Sequence, residues 1–244
     1  MNDQTHPRQI LIIDQQGVAR MGLRVLLEQD VAYQVCGEAE DIPGALQLLK
    51  STTPDLIILD LELNGASSGL DLIQRIRVVK KHVPILVYSM LEDLHYIERA
   101  LAAGARGYCS KRESLATVLL AVREVLANKL FLVDSVASLL LVRSIAGRGV
   151  ADESSDAVVH GLSNRELEVF ALIGRGYKTG EIARTLKLSI KTVETHRLRI
   201  RDKLSLADSA KLAFMAVRWV QEHEVDGHAK GALPREPTQD GASP

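Results

Sequence analysis

The sequence predicts an α/β chain followed by an all-α one. The first part is a doubly wound, five-stranded parallel sheet. The second is a small four-helix domain built on a helix-turn-helix. Three observations carry this. Short apolar runs alternate with amphipathic stretches five times between residues 10 and 127. Beyond Leu162 every apolar pattern has helical spacing. Between the two lies GRGVADESSDA, 147–157, which is small, polar and acidic and reads as a flexible linker.

The elements follow in order. ILIID (10–14) is a short buried-strand run. Residues 18–29 carry Val18, Met21, Leu23, Val25, Leu26 and Leu27 and read as a helix. YQVCGE (33–38) is a weaker strand, and Ile42 to Leu49 is helical. DLIILD (55–60) is a strong strand, followed by a helix over Leu70 to Val79. PILVYS (84–89) is a strand, Ile97 to Ala103 a helix, GYCS (107–110) a short strand, and Leu115 to Ala127 a helix. Five β-then-α units imply a parallel sheet with helices on both faces, wound by right-handed crossovers. SVASLLLVRSI (135–145) is apolar enough for a short helix within the joint. Ser163 with Glu166 three residues on is a capping-box signature for a helix reaching about Gly174–Gly176. Further helices are expected over Thr179–Leu186, Ile190–Leu204 and Ser209–Glu222. The tail 225–244, rich in Gly, Pro and polar residues, reads as disordered. The expected domains are therefore 8–127 and 161–223, joined by 128–160, with a tail from 224.

Composition narrows the function. The chain of 244 residues is 46% hydrophobic and 25% charged, ordinary for a soluble protein. Its two cysteines exclude a disulfide framework and a four-cysteine zinc site. No run approaches the roughly 18 apolar residues of a membrane span, and MNDQTHPRQ is no secretory signal. A cytoplasmic protein without a membrane partner is expected. The net charge of −1 hides an asymmetry: residues 1–128 sum to −3 and residues 161–224 to +4. A basic block after an acidic one fits a nucleic-acid-binding module, and equally a solvated charged face.

In doubly wound sheets the functional crevice lies at the carboxyl ends of the strands. Asp14 ends the first strand, Asp60 the third and Ser89 the fourth, and Lys111 follows the fifth. Strand-end carboxylates can hold Mg²⁺, a hard cation that takes oxygen ligands. An aspartate flanked by a metal and an ammonium can accept a phosphoryl group, because both cations neutralise the developing charge. Any one of these residues could simply cap the sheet. Four of them at the ends of four different strands argue for a site.

ILIID, PDLIILD with Asp60, VYS with Ser89 and AGARGYCSK with Lys111 together make residues 8–127 resemble the receiver domain of a bacterial two-component response regulator. The resemblance implies a flavodoxin-like fold and Mg²⁺ dependence. It also implies phosphoryl transfer to Asp60 from a sensor histidine kinase. It makes Ser89 the switch hydroxyl, Lys111 the phosphate-binding lysine and Tyr108 the switch aromatic. Asp14, Asp60 and the backbone carbonyl of Glu62 become the metal ligands. Three departures matter. Gln15 stands where the family has a second acid, so it offers an uncharged oxygen and metal affinity should be weak. Gly69 comes nine residues after Asp60, one more than usual. Glu62 brings a carboxylate that could compensate for Gln15 or repel phosphate. The resemblance therefore leaves two readings: a phosphorylatable receiver, and a pseudo-receiver working without phosphorylation.

In the second half, the turn at Leu188-Ser189 separates two helices as in a helix-turn-helix. Val193, Ile200 and Leu204 share one face and should pack inward. Lys191, Thr192, Glu194, Thr195 and Leu198 then lie on the exposed N-terminal half, the part that enters a major groove. Arg197, Arg199 and Arg201 can meet phosphates or bases. Periodicity alone also allows a helical interaction domain. Leu162-Ser163-x-Arg165-Glu166, Gly176, Glu181-Ile182-Ala183 and Lys191-Thr192-Val193-x-x-His196 are similar to the LuxR-type helix-turn-helix of NarL/FixJ-class regulators. That similarity implies a DNA-binding transcription regulator rather than an enzyme, with no catalytic residues. It places Glu194, Thr195 and Leu198 at base-reading positions, and Thr179 becomes a backbone-contact candidate. It further implies a homodimer on DNA through the last helix, with Leu212, Val217 and Trp219 as candidate contacts. For Trp219 an ordinary core position is the alternative. RNA polymerase is a further candidate partner. A phosphatase-like enzyme with an aspartyl nucleophile is the rival from another class. It lacks support in that Glu62 stands where such enzymes need aspartate. Cys36 and Cys109 fit buried thiols, and the histidines have no metal-ligand spacing.

Overall fold

Ile10 to Ile13 are four consecutive, fully buried side chains, which only a strand covered on both faces can accommodate. They belong to β1 (Arg8–Ile13), an inner strand of the first domain's sheet. The computed structural model describes residues 6–63, 68–146, 159 and 161–224. Then follow α1 (Gly17–Glu28), β2 (Tyr33–Ala39), α2 (Ile42–Ser51), β3 (Leu56–Leu59), α3 (Gly69–Val79), β4 (Ile85–Ser89), α4 (Leu94–Ala103), β5 (Gly107–Ser110) and α5 (Leu115–Leu126). The five strands are parallel, in the order β2-β1-β3-β4-β5. The chain thus reverses direction across the sheet between β1 and β3. That switch point opens a crevice beyond their carboxyl ends, beside Asp14 and Asp60.

Alternate strand residues serve opposite faces. Ile10, Ile12, Leu56, Ile58 and Leu86 pack with Leu23 and Leu27 of α1 and Val118 and Val122 of α5. Leu11, Ile13, Ile57, Leu59 and Val87 pack with residues of α2, α3 and α4. Only part of the apolar set of α1 serves this core. Leu23, Leu26 and Leu27 are buried, whereas Val18, Met21 and Val25 are exposed.

Most element boundaries agree with expectation to within two residues. α4 is an exception, beginning at Leu94 rather than Ile97. Its extra turn holds His95 and Tyr96, buried at 1% and 2% exposure. A second difference follows α5. Asn128 adopts a left-handed backbone (φ 61°), and the chain returns to bridge Phe131 to Gly107. The Tyr108 amide donates to the Phe131 carbonyl at 3.0 Å, so the sheet's edge extends past residue 127. α6 (Asp134–Ala146) is the short helix expected in the joint. Its Leu139, Leu141 and Val142 are exposed. The linker 147–157 and the tail 225–244 lie outside the described residues.

The second domain holds α7 (Asn164–Gly174), α8 (Thr179–Thr185), α9 (Ile190–Lys203) and α10 (Ser209–Glu224). Ser163 and Glu166 form the reciprocal capping box, which satisfies two otherwise orphaned backbone donors at the start of α7. Lys203 reaches the same Glu166 carboxylate at 2.6 Å, which ties α9 to α7. Gly176 ends this first segment at φ 85°, a conformation glycine adopts without steric cost. Leu167, Phe170, Ile182, Val193, Ile200, Leu212 and Trp219 fill the core. This core is continuous with the α3–α4 face of the first domain.

Candidate functional site

The structure gathers the four strand-end residues into one cluster. Asp14 and Asp60 are buried at 1% exposure each, beyond β1 and β3. The Lys111 ammonium, carried in from the end of β5, stands 2.7 Å from Asp14 Oδ2 and 2.7 Å from Asp60 Oδ2. Ser89, the last residue of β4, donates its hydroxyl to Asp60 Oδ1 at 2.7 Å. The Glu62 amide donates to the same oxygen at 3.2 Å, and the Gln16 amide to Asp14 Oδ1 at 2.7 Å. Asp60 therefore has one oxygen facing an ammonium and the other held by a hydroxyl and a backbone N–H.

Two carboxylates share one cation here, and the charge balance is visible in the proton affinities. Burial, then the charge of Asp60, raises the Asp14 carboxyl above its ordinary value against the pull of Lys111. Burial alone would lower the Lys111 ammonium, but Asp60 and Asp14 outweigh it and hold the group above its ordinary range. An uncompensated negative charge in a buried pocket favours a further cation. The oxygen donors present are two carboxylates, the Gln15 amide and the Glu62 carbonyl, a hard set that suits Mg²⁺. Gln15 is half-buried beside Asp14. Among the described residues no three His, Cys, Asp or Glu side chains converge as a metal cluster. The Glu62 carboxyl is raised by burial first and by Asp60 next, with Lys111 and Arg175 opposing.

Tyr108 lies inward, at 4% exposure, with its hydroxyl donating to the Leu91 carbonyl at 2.5 Å. Burial and then the Asp60 charge push its phenol well up, so it stays a neutral donor. The loop after Asp60 is closed by Gly69. A Cβ there would lie 2.5 Å from Leu61 Cα and 2.7 Å from the Asp60 carbonyl, so the close approach admits only glycine. Residues 64–67 of that loop, where an extra residue was expected, lie outside the described residues.

The second site is the open face of α9. Ser189 caps the helix by accepting from the Thr192 amide at 3.0 Å. Val193 and Ile200 are fully buried and Leu204 nearly so, as their spacing predicts. Lys191, Glu194, Thr195, Leu198 and Arg199 are exposed, and Thr192, Arg197 and Arg201 half-buried. Thr179 opens α8 and is half-buried. Along α10 the expectation needs correction. Leu212 and Trp219 are buried, with Trp219 packed on Phe170 at 5.7 Å and on His95 of α4 at 5.5 Å between ring centroids. They cannot face a second copy in this arrangement, because the core and the first domain already cover them. Val217 stays exposed, and Phe214, 73% exposed, is the large apolar group that the sequence reading missed. Cys109 is buried, and burial pushes its thiol up to about 12; Cys36 is raised for the same reason, so neither is a reactive thiolate.

Residues 10–123 match the family described as response regulator receiver domain, and residues 160–216 the family described as bacterial regulatory proteins, luxR family. The Fimbriae Z protein of Salmonella typhimurium is 32% identical over 219 residues, covering 90% of this chain and 99% of that protein. The chain belongs to the LuxR-type (NarL/FixJ) response regulators. The oxygen regulatory protein NreC of Staphylococcus epidermidis is 34% identical to this response regulator over 211 residues, covering 86% and 96% of the two chains. A LuxR-family response regulator from Aurantimonas sp. superposes with a TM-score of 0.54 at 29% identity, over 57% of this chain and 99% of that one. RcsB of Salmonella enterica serovar Typhimurium, bound to promoter rprA with the phosphomimetic BeF3⁻, superposes with a TM-score of 0.57 at 25% identity, over 86% and 98%. As a response regulator, this chain is a DNA-binding regulator of transcription. Among its described residues no helix is long and apolar enough to cross a membrane.

Proposed function

We propose that this response regulator is switched by phosphorylation of Asp60 by a sensor histidine kinase, and binds DNA as a homodimer through α9. The observation that carries the reading is the Asp60 carboxylate, held between the Lys111 ammonium and the Ser89 hydroxyl at 2.7 Å each. An Asp60 carboxylate oxygen attacks phosphorus of a phosphohistidine. The P–O bond forms as the P–N bond breaks, and the bonding pair leaves on the kinase imidazole. Lys111 turns from the carboxylates toward the transferred oxygens and neutralises their charge. Ser89 turns its O–H from Asp60 Oδ1 to the phosphoryl group. Asp14, Asp60, the Glu62 carbonyl and the Gln15 amide would hold Mg²⁺, which supplies positive charge against the phosphoryl oxygens. With Gln15 uncharged, that affinity is weak. The domains so employed are 8–127 and 161–223, with 128–160 as joint, in a cytoplasmic protein for which RNA polymerase is a further candidate partner.

On the DNA side, Glu194, Thr195 and Leu198 would read base edges, a glutamate accepting from cytosine N4, with Lys191 and Thr192 beside them on the N-terminal half of α9. Thr179, Arg197, Arg199 and Arg201 would meet phosphates. That the similar RcsB was captured on a promoter with a phosphomimetic supports both halves of the reading. Gln15 favours a second reading, a pseudo-receiver whose output ignores Asp60. Intact mass after incubation with a small phosphodonor and Mg²⁺ decides between them. One phosphoryl increment on the wild type and none on Asp60→Asn is the expected result. An unmodified wild type at high Mg²⁺, with promoter output unchanged by Asp60→Asn, sinks the phosphorylation reading.

A further inference from the structure

A polar cluster that the chemistry at Asp60 does not use lies where the two domains meet. Arg99 of α4 reaches across with its guanidinium. Nη1 donates to the Leu162 carbonyl at 3.0 Å and to Asn164 Oδ1 at 3.1 Å, and Nη2 donates to the Val159 carbonyl at 3.1 Å. All three acceptors belong to the chain entering α7. Asn164, the first residue of α7, donates its Nδ2 to Asp71 Oδ1 of α3 at 2.8 Å. One amide is therefore gripped from two receiver helices at once, through both its oxygen and its nitrogen. To one side, Arg175 at the end of α7 pairs with Asp93, the residue before α4, at 3.2 Å.

Asp71 also connects inward. Its Oδ2 accepts the Ser68 amide at 3.0 Å in the capping box of α3. The next amide, Gly69 N–H, donates to the Leu61 carbonyl at 3.0 Å, one residue after Asp60. The N-terminus of α3 is thus fastened to the backbone of the phosphoacceptor loop on one side and to the output domain on the other. The contact leaves the DNA-reading side of α9 open, since Lys191, Glu194, Thr195 and Leu198 stay exposed. What it restrains is the orientation of α7 and α10.

We propose that Asn164, held between Asp71 and Arg99, is the latch that docks the output domain on the receiver, and that the N-terminus of α3 passes the state of Asp60 to it. The route differs from one through Ser89 and Tyr108, because it runs through the bond between the Gly69 amide and the Leu61 carbonyl at the N-terminus of α3. Like charge already concentrates beneath the latch. Glu168 of α7 is pushed up to about 7 by burial, with Asp71 and Glu62 adding to the shift and Arg165 opposing it. A phosphoryl group on Asp60 adds negative charge on the same side, which works toward opening. The coupling half of this proposal rests on the phosphorylation reading above; the latch itself does not.

The test uses the full chain, with two readouts. One is the radius of gyration from scattering on the monomer peak, about 18 Å for a compact chain of this length. The other is emission from Trp219, the one tryptophan of the chain, which packs against His95 of the receiver. Without phosphodonor, Arg99→Ala and Asn164→Asp are expected to enlarge the radius by roughly a fifth and to shift Trp219 emission to the red, with far-UV dichroism unchanged. Asn164→Asp keeps the acceptor for Arg99 but sets a carboxylate against Asp71. Adding Asp71→Asn to it restores one donor and one acceptor and should close the protein again. A lost fold would not be rescued this way. If both single variants stay as compact as the wild type, or the double variant stays open, the latch is refuted. In the wild type, phosphodonor should produce the same opening in proportion to the adduct seen by mass. Adduct without opening overturns the coupling and leaves phosphorylation standing. Absence of adduct overturns the phosphorylation reading and the coupling with it, while the unphosphorylated variants still decide the latch.

Discussion

Among single residues, Glu168 and Lys111 show how burial and neighbours set charge in opposite ways. Lys111 sits between two carboxylates, so its ammonium is held on despite burial. Glu168 has Arg165 beside it, yet burial and the charges of Asp71 and Glu62 prevail and its carboxyl rises to about 7 from an ordinary 4.5. The sign follows by linkage. A carboxyl raised in the folded state binds protons more tightly there than when unfolded. Its contribution to stability is full below about 4.5 and is lost as pH rises through about 7. The melting temperature of Glu168→Gln should therefore depend less on pH than that of the wild type between those limits. An unchanged slope in that window would show that Glu168 is ionised throughout. The residues of the Asp60 cluster were legible because each terminates an apolar run, and parallel strands deliver their ends to one crevice. Tyr108 was legible as a position only. That its hydroxyl turns inward to Leu91 depends on the loop between β4 and α4.

Within elements, local chemistry decided most of what was read correctly. The start of α7 combines Ser163, Glu166 and a Lys203 contact from α9. Burial alone would raise the Glu166 carboxyl, but Lys203 and the Ser163 donors overcome it and hold the carboxyl below its ordinary value. Ser163→Ala removes the side-chain acceptor for the Glu166 amide and should cost about 1 kcal/mol. Denaturant titration followed by helical dichroism measures this, and an unchanged midpoint would mean that Glu166 alone caps the helix. The start of α4 was misjudged because His95 is polar and interrupts the apolar period. It is buried, with its ring 5.5 Å from that of Trp219 in the other domain. In α1 the opposite occurred. Val18, Met21 and Val25 look like core in sequence but face outward, because Leu23, Leu26 and Leu27 already fill the sheet side.

For the whole molecule, charge asymmetry becomes function only through placement. The excess of positive charge over residues 161–224 is modest. On α9, however, Lys191 and Arg199 stand exposed. Each phosphate neutralised on DNA releases counterions, which gives a slope of about −0.9 per contact in log affinity against log salt. Arg199→Ala should weaken binding to all sequences alike and make that slope shallower by about one unit. Leu198→Ala should leave the slope alone and change discrimination between sites. Anisotropy titrations at several salt concentrations separate the two. If Arg199→Ala changed site preference with an unaltered slope, its side chain would be reading bases.

The sequence by itself determined the two folds, the strand-end cluster and the position of α9. These depend on spacing: period two for strands, 3.6 for helices, and the parallel topology that such alternation demands. The tertiary structure alone decided how the domains meet. Arg99 and Asn164 are 65 residues apart, and Asn164 and Asp71 are 93 apart. No local pattern marks residues whose partners lie so far along the chain. Burial of Trp219 against His95, and with it the loss of Trp219 as a dimer contact, belongs to the same class. Such contacts depend on surfaces that each domain presents only in its folded form. Their energies come from desolvated polar groups that find partners in three dimensions, and sequence spacing carries no record of that.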